Sequence, residues 1–184
     1  MKKIKGNSLI KKRAFTLIET LVVIFIIGVI SAILVVNWKN NEKTYLVKRV
    51  AQEIVQNIRR AQDLALTTKN IDPSKTILSY GISFNKNDKN NYTIFGDVNG
   101  NNSYQTPSSD ALVEVISINS EIEIYDASPG DPNLDIVFSI PDGFTTITPA
   151  SSSAEIDIRR VGATCPSISC KTIIVNNTGQ ITIQ

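Results

Sequence analysis

The feature that most constrains this chain is an uncharged segment of 17 residues, positions 20–36, that directly follows a single carboxylate, Glu19. Residues 17–36 form a stretch of 20 amino acids in which Glu19 is the only charged one. A helix needs about 20 mostly apolar residues to cross the hydrocarbon core of a bilayer. An ionisable group in such a segment is costly and is usually kept for a function, with a partner of opposite charge. The segment therefore predicts a membrane-inserted helix that needs its carboxylate.

The charges on either side of this segment predict how the chain is oriented. Residues 1–14 carry six Lys and Arg side chains and no acid, and such a bias keeps a terminus in the cytoplasm. Trp38 and Lys39 follow the segment and suit the opposite membrane interface. We expect a cytoplasmic leader at residues 1–14, a membrane-spanning half of a helix at residues 15–38, and an extracytoplasmic head at residues 39–184.

Two simpler interpretations of the same segment stay open. A secretory signal peptide has an apolar region of about 7–15 residues and a small-x-small cleavage site, whereas this segment is longer and contains Glu19. A plain membrane anchor with an incidental carboxylate is the other interpretation. In that case the protein is a membrane-anchored extracellular binding domain that never polymerises.

Residues 14–24, with the sequence AFTLIETLVVI, resemble the N-terminal motif of type IV prepilins and type II secretion pseudopilins. The resemblance implies cleavage between Ala14 and Phe15 by a prepilin peptidase, followed by N-methylation of Phe15. It also implies that Glu19 of one subunit pairs with the methylated amine of a neighbouring subunit. The implied partners are the membrane, other pilin subunits in a helical filament, the peptidase and an inner-membrane assembly platform.

The chain departs from the family pattern at two positions. Family members usually have Gly before the cleavage site, where this chain has Ala14. Major pilins commonly have Pro where this chain has Val36, so a minor subunit fits better than a major one.

A looser resemblance extends into the remainder of the chain. Residues 58–67 and 95–101 are similar to segments of the GspH/FimT-like minor pilin group. Members of that group often end in a Gly-Arg strand, where this chain has Gly179 and Gln180. Some members bind DNA for uptake, so a DNA-binding competence pilin is an alternative function. Without residues 1–14 the chain has 13 basic and 17 acidic residues, a net charge of −4, and no nucleic-acid partner is expected.

Hydrophobic periodicity predicts the α+β fold class, with a long N-terminal helix packed on an antiparallel sheet. Apolar residues recur at helical spacing beyond the apolar segment, so one helix is predicted over residues 15–68, amphipathic in its second half. After Pro73 the period changes to two, which is typical of strands. The predicted strands are residues 77–84, 92–95, 112–118, 121–125, 134–140, 145–148, 154–159, 172–176 and 180–183.

The head contains few residues that could carry chemistry. Cys165 and Cys170 lie beyond the apolar segment, and outside the cytoplasm such a pair indicates a disulfide, with two free thiols as the alternative. Asp97, Asn99 and Asn101 form a weak calcium candidate, because Gly100 is misplaced for a calcium loop, and a plain turn-rich loop is the simpler interpretation. The chain has no His and no nucleophile or phosphate-binding motif. We therefore expect no cofactor and no enzymatic activity.

These observations together predict a structural pilin-like subunit of a type IV pilus or a type II secretion pseudopilus. Its expected location is the membrane, with a single pass and the head outside, followed by a cell-surface or periplasmic filament.

Overall fold

The computed structural model describes residues 16–105 and 109–184. A boundary between Asn41 and Glu42 divides these residues into two compact units, and every described strand lies in the second unit. In chain order the elements are α1 (Leu17–Leu66), β1 (Ser79–Asn85), β2 (Asn91–Asp97), β3 (Ala111–Ser117), β4 (Ile122–Ser128), β5 (Asn133–Ser139), β6 (Thr145–Thr148), β7 (Ser153–Arg160), β8 (Cys170–Asn176) and β9 (Ile181–Ile183).

The predicted long helix is confirmed as α1, which ends two residues before the expected position. Phe15, the expected first residue, lies outside the described residues. Thr68 follows the end of the helix with a φ of 51°, in the left-handed region that often terminates a helix. Pro73 comes soon afterwards and cannot continue a helix.

The second half of α1 buries one apolar stripe against the strands. The stripe members are each at most 1% exposed, as the helical spacing predicted: Val47, Val50, Ala51, Ile54, Ile58, Ala61 and Ala65. They belong to one core cluster together with inward-facing residues of the strands. Burying a Val or Ile side chain contributes about 1.5–3 kcal/mol, so this stripe is a large part of what stabilises the head.

The strands form two antiparallel sheets. Sheet 1 has the order β3-β2-β1-β5-β6, and sheet 2 has the order β4-β7-β8-β9. The α+β class is confirmed, although the sequence patterns predicted one sheet rather than two. Alternation along a strand indicates which face is buried but not which strand is the neighbour, and β4 pairs with β7 instead of with either adjacent strand of the chain.

Sheet 1 is covered on both faces at its centre. Tyr80 and Ile82 of β1 face the core that contains α1, while Gly81 between them faces the other side. Gly81 pairs with Phe95 of β2 and with Val137 of β5, both buried. A Cβ at Gly81 would lie 2.9 Å from the Phe95 ring and 2.9 Å from Val137 Cγ2. The absence of a side chain at Gly81 therefore lets the Phe95 ring lie against the strand.

The disulfide expected between Cys165 and Cys170 is present. Cys170 begins β8 and pairs with Arg159 of β7, so the disulfide lies in the connection between these two strands. This connection is also held by backbone hydrogen bonds, among them one from the N–H of Arg160 to the carbonyl of Ser169 (3.1 Å). The disulfide closes a loop with a sequence separation of only 5 residues.

We expect Gly81→Ala to lower the free energy of unfolding by about 1–3 kcal/mol, because the added methyl group overpacks a buried region. The measurement is urea denaturation of the full-length protein in detergent, followed by circular dichroism. Gly28→Ala is the matched control, since no atom lies within 4 Å of the position its Cβ would take. An unchanged urea midpoint for Gly81→Ala would contradict the packing described at this position.

We expect the double variant Cys165→Ser/Cys170→Ser to lose at most about 2 kcal/mol, because chain-entropy stabilisation is small for a short loop. Hydrogen exchange should accelerate in residues 160–171 and stay unchanged in β1 and β5. Adding reductant to the variant serves as the control and should change nothing further. Loss of the cooperative unfolding transition would show that the disulfide holds more than this connection.

Candidate functional site

Glu19 lies in the first turn of α1 and forms a reciprocal cap with Thr16. Thr16 Oγ1 accepts a hydrogen bond from the backbone N–H of Glu19 (3.3 Å). The backbone N–H of Thr16 in turn donates to Glu19 Oε2 (3.5 Å). This is the pattern of a capping box, which satisfies backbone donors that a helix start otherwise leaves unpaired. The carboxylate thus has a role within its own chain.

Thr16 was not among the functional residues predicted from the sequence. The sequence pattern that could have identified it is T-x-x-E over residues 16–19, a spacing typical of the start of a helix. The predicted processing residues Ala14 and Phe15 lie outside the described residues, so the cleavage and methylation expected there stay predictions.

The first unit exposes an unusually large apolar surface. From residue 17 to residue 33, the large apolar side chains of α1 are between 45% and 83% exposed: Leu17, Ile18, Leu21, Val22, Val23, Ile24, Phe25, Ile26, Ile27, Val29, Ile30 and Ile33. Monomeric soluble proteins rarely expose contiguous apolar patches larger than a few hundred Å², and larger ones mark a protein or membrane interaction site.

Within residues 16–105 and 109–184, no helix combines the length and the hydropathy needed to cross a membrane.

Asp97, Asn99 and Asn101, the weak calcium candidate, organise the turn that follows β2. Asp97 is fully buried, and its Oδ1 accepts hydrogen bonds from the backbone N–H groups of Asn99 (3.1 Å) and Gly100 (2.8 Å). The side-chain oxygens of Asn99 and Asn101 each accept from the N–H two residues later, at 3.0 Å. Such side-chain to backbone bonds are typical of Asx turns. The geometry fits the plain turn-rich loop, which the sequence favoured over a calcium site.

Two further buried carboxylates hold the same loop on the outer face of sheet 1. Asp110 Oδ2 accepts from the backbone N–H of Gln105 (2.7 Å). Asp135 Oδ2 accepts from the hydroxyl of Ser103 (2.7 Å). Burial raises the pKa of Asp135, because it disfavours the charged form more than the hydrogen bonds from serine hydroxyls favour it. In the described part of the chain, no group of three or more His, Cys, Asp or Glu residues is placed to hold a metal ion.

Several basic side chains of the head pair with acidic partners. Arg60 on α1 pairs with Glu114 of β3 at 2.6 Å. Arg159 of β7 pairs with Glu123 of β4 at 2.7 Å, and its guanidinium lies 3.7 Å from the centre of the Tyr125 ring. Negative charge therefore lies beside Arg60 and Arg159, which makes these two arginines less suited to bind phosphates.

Comparison with known proteins finds a match to the N-terminal part of the chain. The family model described as the prokaryotic N-terminal methylation motif matches residues 9–35. No curated protein and no solved structure matches the chain. The matched residues include the predicted cleavage junction, Glu19 and most of the apolar segment, and they leave the head outside the match. The chain therefore carries the N-terminal methylation motif, and this match supports its assignment to the type IV prepilin and pseudopilin family.

Proposed function

We propose that this protein is a minor pilin or pseudopilin, a structural subunit of a type IV pilus or of a type II secretion pseudopilus. Prepilin peptidase cuts it between Ala14 and Phe15, Phe15 is N-methylated, and the platform in the inner membrane assembles it through the first half of α1. The loose likeness of residues 58–67 and 95–101 favours the GspH/FimT-like group for this subunit.

The observation that carries this proposal is the apolar surface of α1 between Leu17 and Ile33. Water solvates such a surface poorly, so lipid or the helices of other subunits must cover it. Lipid covers this surface while the subunit is stored in the membrane. When the subunit joins a filament, helices of other subunits replace the lipid. Gly28 suits this exchange, since small residues let helices in lipid approach closely.

Glu19 gives the second support, because its carboxylate can accept more hydrogen bonds than the cap uses. A carboxylate offers about four lone-pair positions, and the bond from the N–H of Thr16 uses one of them at 3.5 Å, the outer limit for a hydrogen bond. Cleavage after Ala14 would create a positive amine at Phe15 on every subunit. In an apolar surrounding, a carboxylate paired with such an amine is far more favourable than two unpaired charges.

The structure offers substitutions that separate the cap from the charge. Glu19→Gln keeps a capping box, since Gln serves in the same position, but it removes the charge. We expect Glu19→Gln and Glu19→Ala to reach the membrane fraction at wild-type levels and to be absent from sheared filaments. Thr16→Ala is the control, because it removes a cap worth about 1 kcal/mol and leaves the carboxylate in place. This control should still be incorporated.

Normal incorporation of Glu19→Gln would mean that the carboxylate serves the cap alone. Absence of the wild-type protein from filaments, with full recovery in the membrane, would favour the anchored binding domain that never polymerises.

A further inference from the structure

A polar groove of about 440 Å³ lies on the outer face of sheet 1, away from α1. Its floor comes from neighbouring strands, since Ser83 of β1 pairs with Thr93 of β2, and Asn85 of β1 pairs with Asn133 of β5. Tyr104 and Gln105, in the loop that follows β2, form part of its wall. Because Phe84, between Ser83 and Asn85, faces the core, these polar side chains face the other side.

The chemistry of the lining excludes several classes of ligand. The described residues that line the groove supply amides and hydroxyls, and they include no Lys or Arg. Asp88 is the only carboxylate among them, and both of its oxygens accept hydrogen bonds from Asn91 Nδ2, at 2.9 and 3.0 Å. An anion would find no cation here, and an apolar ligand would leave the amides unpaired. A neutral ligand that is rich in hydroxyl groups needs no cation, and its hydroxyl groups can pair with the amides.

The groove has hydrogen-bonding capacity that the protein itself does not use. Asn133 Oδ1 is buried, and it has no hydrogen-bond partner among the described residues. A buried polar atom without a partner is rare in folded proteins. Because neighbouring atoms cover Oδ1, a ligand reaches this amide only after the side chain turns toward the groove. The amide can also turn to exchange its donor and acceptor ends.

The wall of the groove is fixed before any ligand binds. The Tyr104 ring packs on the ring of Phe95, with 5.2 Å between their centroids. Gln105 is held by a bond from its backbone N–H to Asp110 Oδ2 (2.7 Å) and by one from Asn99 Nδ2 to its side-chain oxygen (3.1 Å). Preorganised groups lose less entropy when they bind a ligand, so this wall favours recognition.

We propose that this groove binds a neutral saccharide of one or two sugar rings. The hydroxyl groups of the sugar pair with the amides of Asn85 and Asn133 and with the hydroxyl of Thr93, and the apolar face of a ring rests on Tyr104. The volume falls within the range of about 300–1,000 Å³ that small-molecule sites occupy. This ligand site goes beyond the proposed assembly role and does not depend on it.

The test is saturation-transfer NMR on the full-length protein in a detergent without a sugar head group. The probes are maltose, cellobiose, lactose and diacetylchitobiose, and we expect at least one to bind in the millimolar range. Thr93→Arg places a long charged side chain in the groove and should weaken that binding by about tenfold or more. Val115→Arg is the matched control, because Val115 pairs with Thr93 on the same face, is 53% exposed and does not line the groove.

Tyr104→Leu gives a second variant, which keeps an apolar contact with Phe95 but removes the aromatic face. We expect it to bind the sugar more weakly while its melting midpoint stays close to that of the wild type. Failure of every probe to bind would overturn the proposal, as would equal binding by wild type, Thr93→Arg and Tyr104→Leu. Tighter binding of a phosphorylated glucose than of the neutral sugars would also overturn it.

Discussion

The burial of one stripe of α1 in a core shared with two sheets is the interaction on which the rest of the head depends. The stripe runs from Val47 to Ala65, and it faces inward residues of β1, β5 and β7 within one cluster. Without the helix, both sheets would expose an apolar face, and without the sheets the helix would expose its stripe. The second half of α1 is therefore part of the head and not only a connection to it.

The outer face of sheet 1 shows how buried charge can shape a surface. Asp97, Asp110 and Asp135 are almost fully buried, and each accepts hydrogen bonds from the loop between β2 and β3. Buried carboxylates are tolerated when such bonds compensate their lost hydration. The bonds hold this loop beside Phe95, whose ring packs on the ring of Tyr104, and Tyr104 and Gln105 form part of the wall of the polar groove. Asp97, the one carboxylate of the calcium candidate, is thus engaged in holding the turn of this loop.

The sequence predicted the elements of the fold better than their arrangement. Each of the nine predicted strands is present, because alternation such as Ile122 and Ile124 inward, with Glu123 between them, depends only on local periodicity. The division into two sheets was not predicted, because strand partners are decided by contacts between distant residues. The roles of Gly81 and Asp135 were missed for the same reason. Thr16 was missed although its spacing to Glu19 was visible in the sequence.

The candidate functional residues fall into two groups with different support. Glu19 and the apolar residues that follow it lie in a segment that a family model recognises, so sequence and comparison agree there. No sequence motif marks the groove on sheet 1, because the residues that line it come from separate strands and loops that only the fold brings together.

We propose that the chain is processed and used as a pilin-like subunit. The most direct test is mass spectrometry of the N-terminal peptide of the protein isolated from its native membrane. A mature chain that begins with N-methylated Phe15 is the result this account predicts. A chain that still begins at Met1, or one that begins beyond the apolar segment as a secreted protein does, would contradict it.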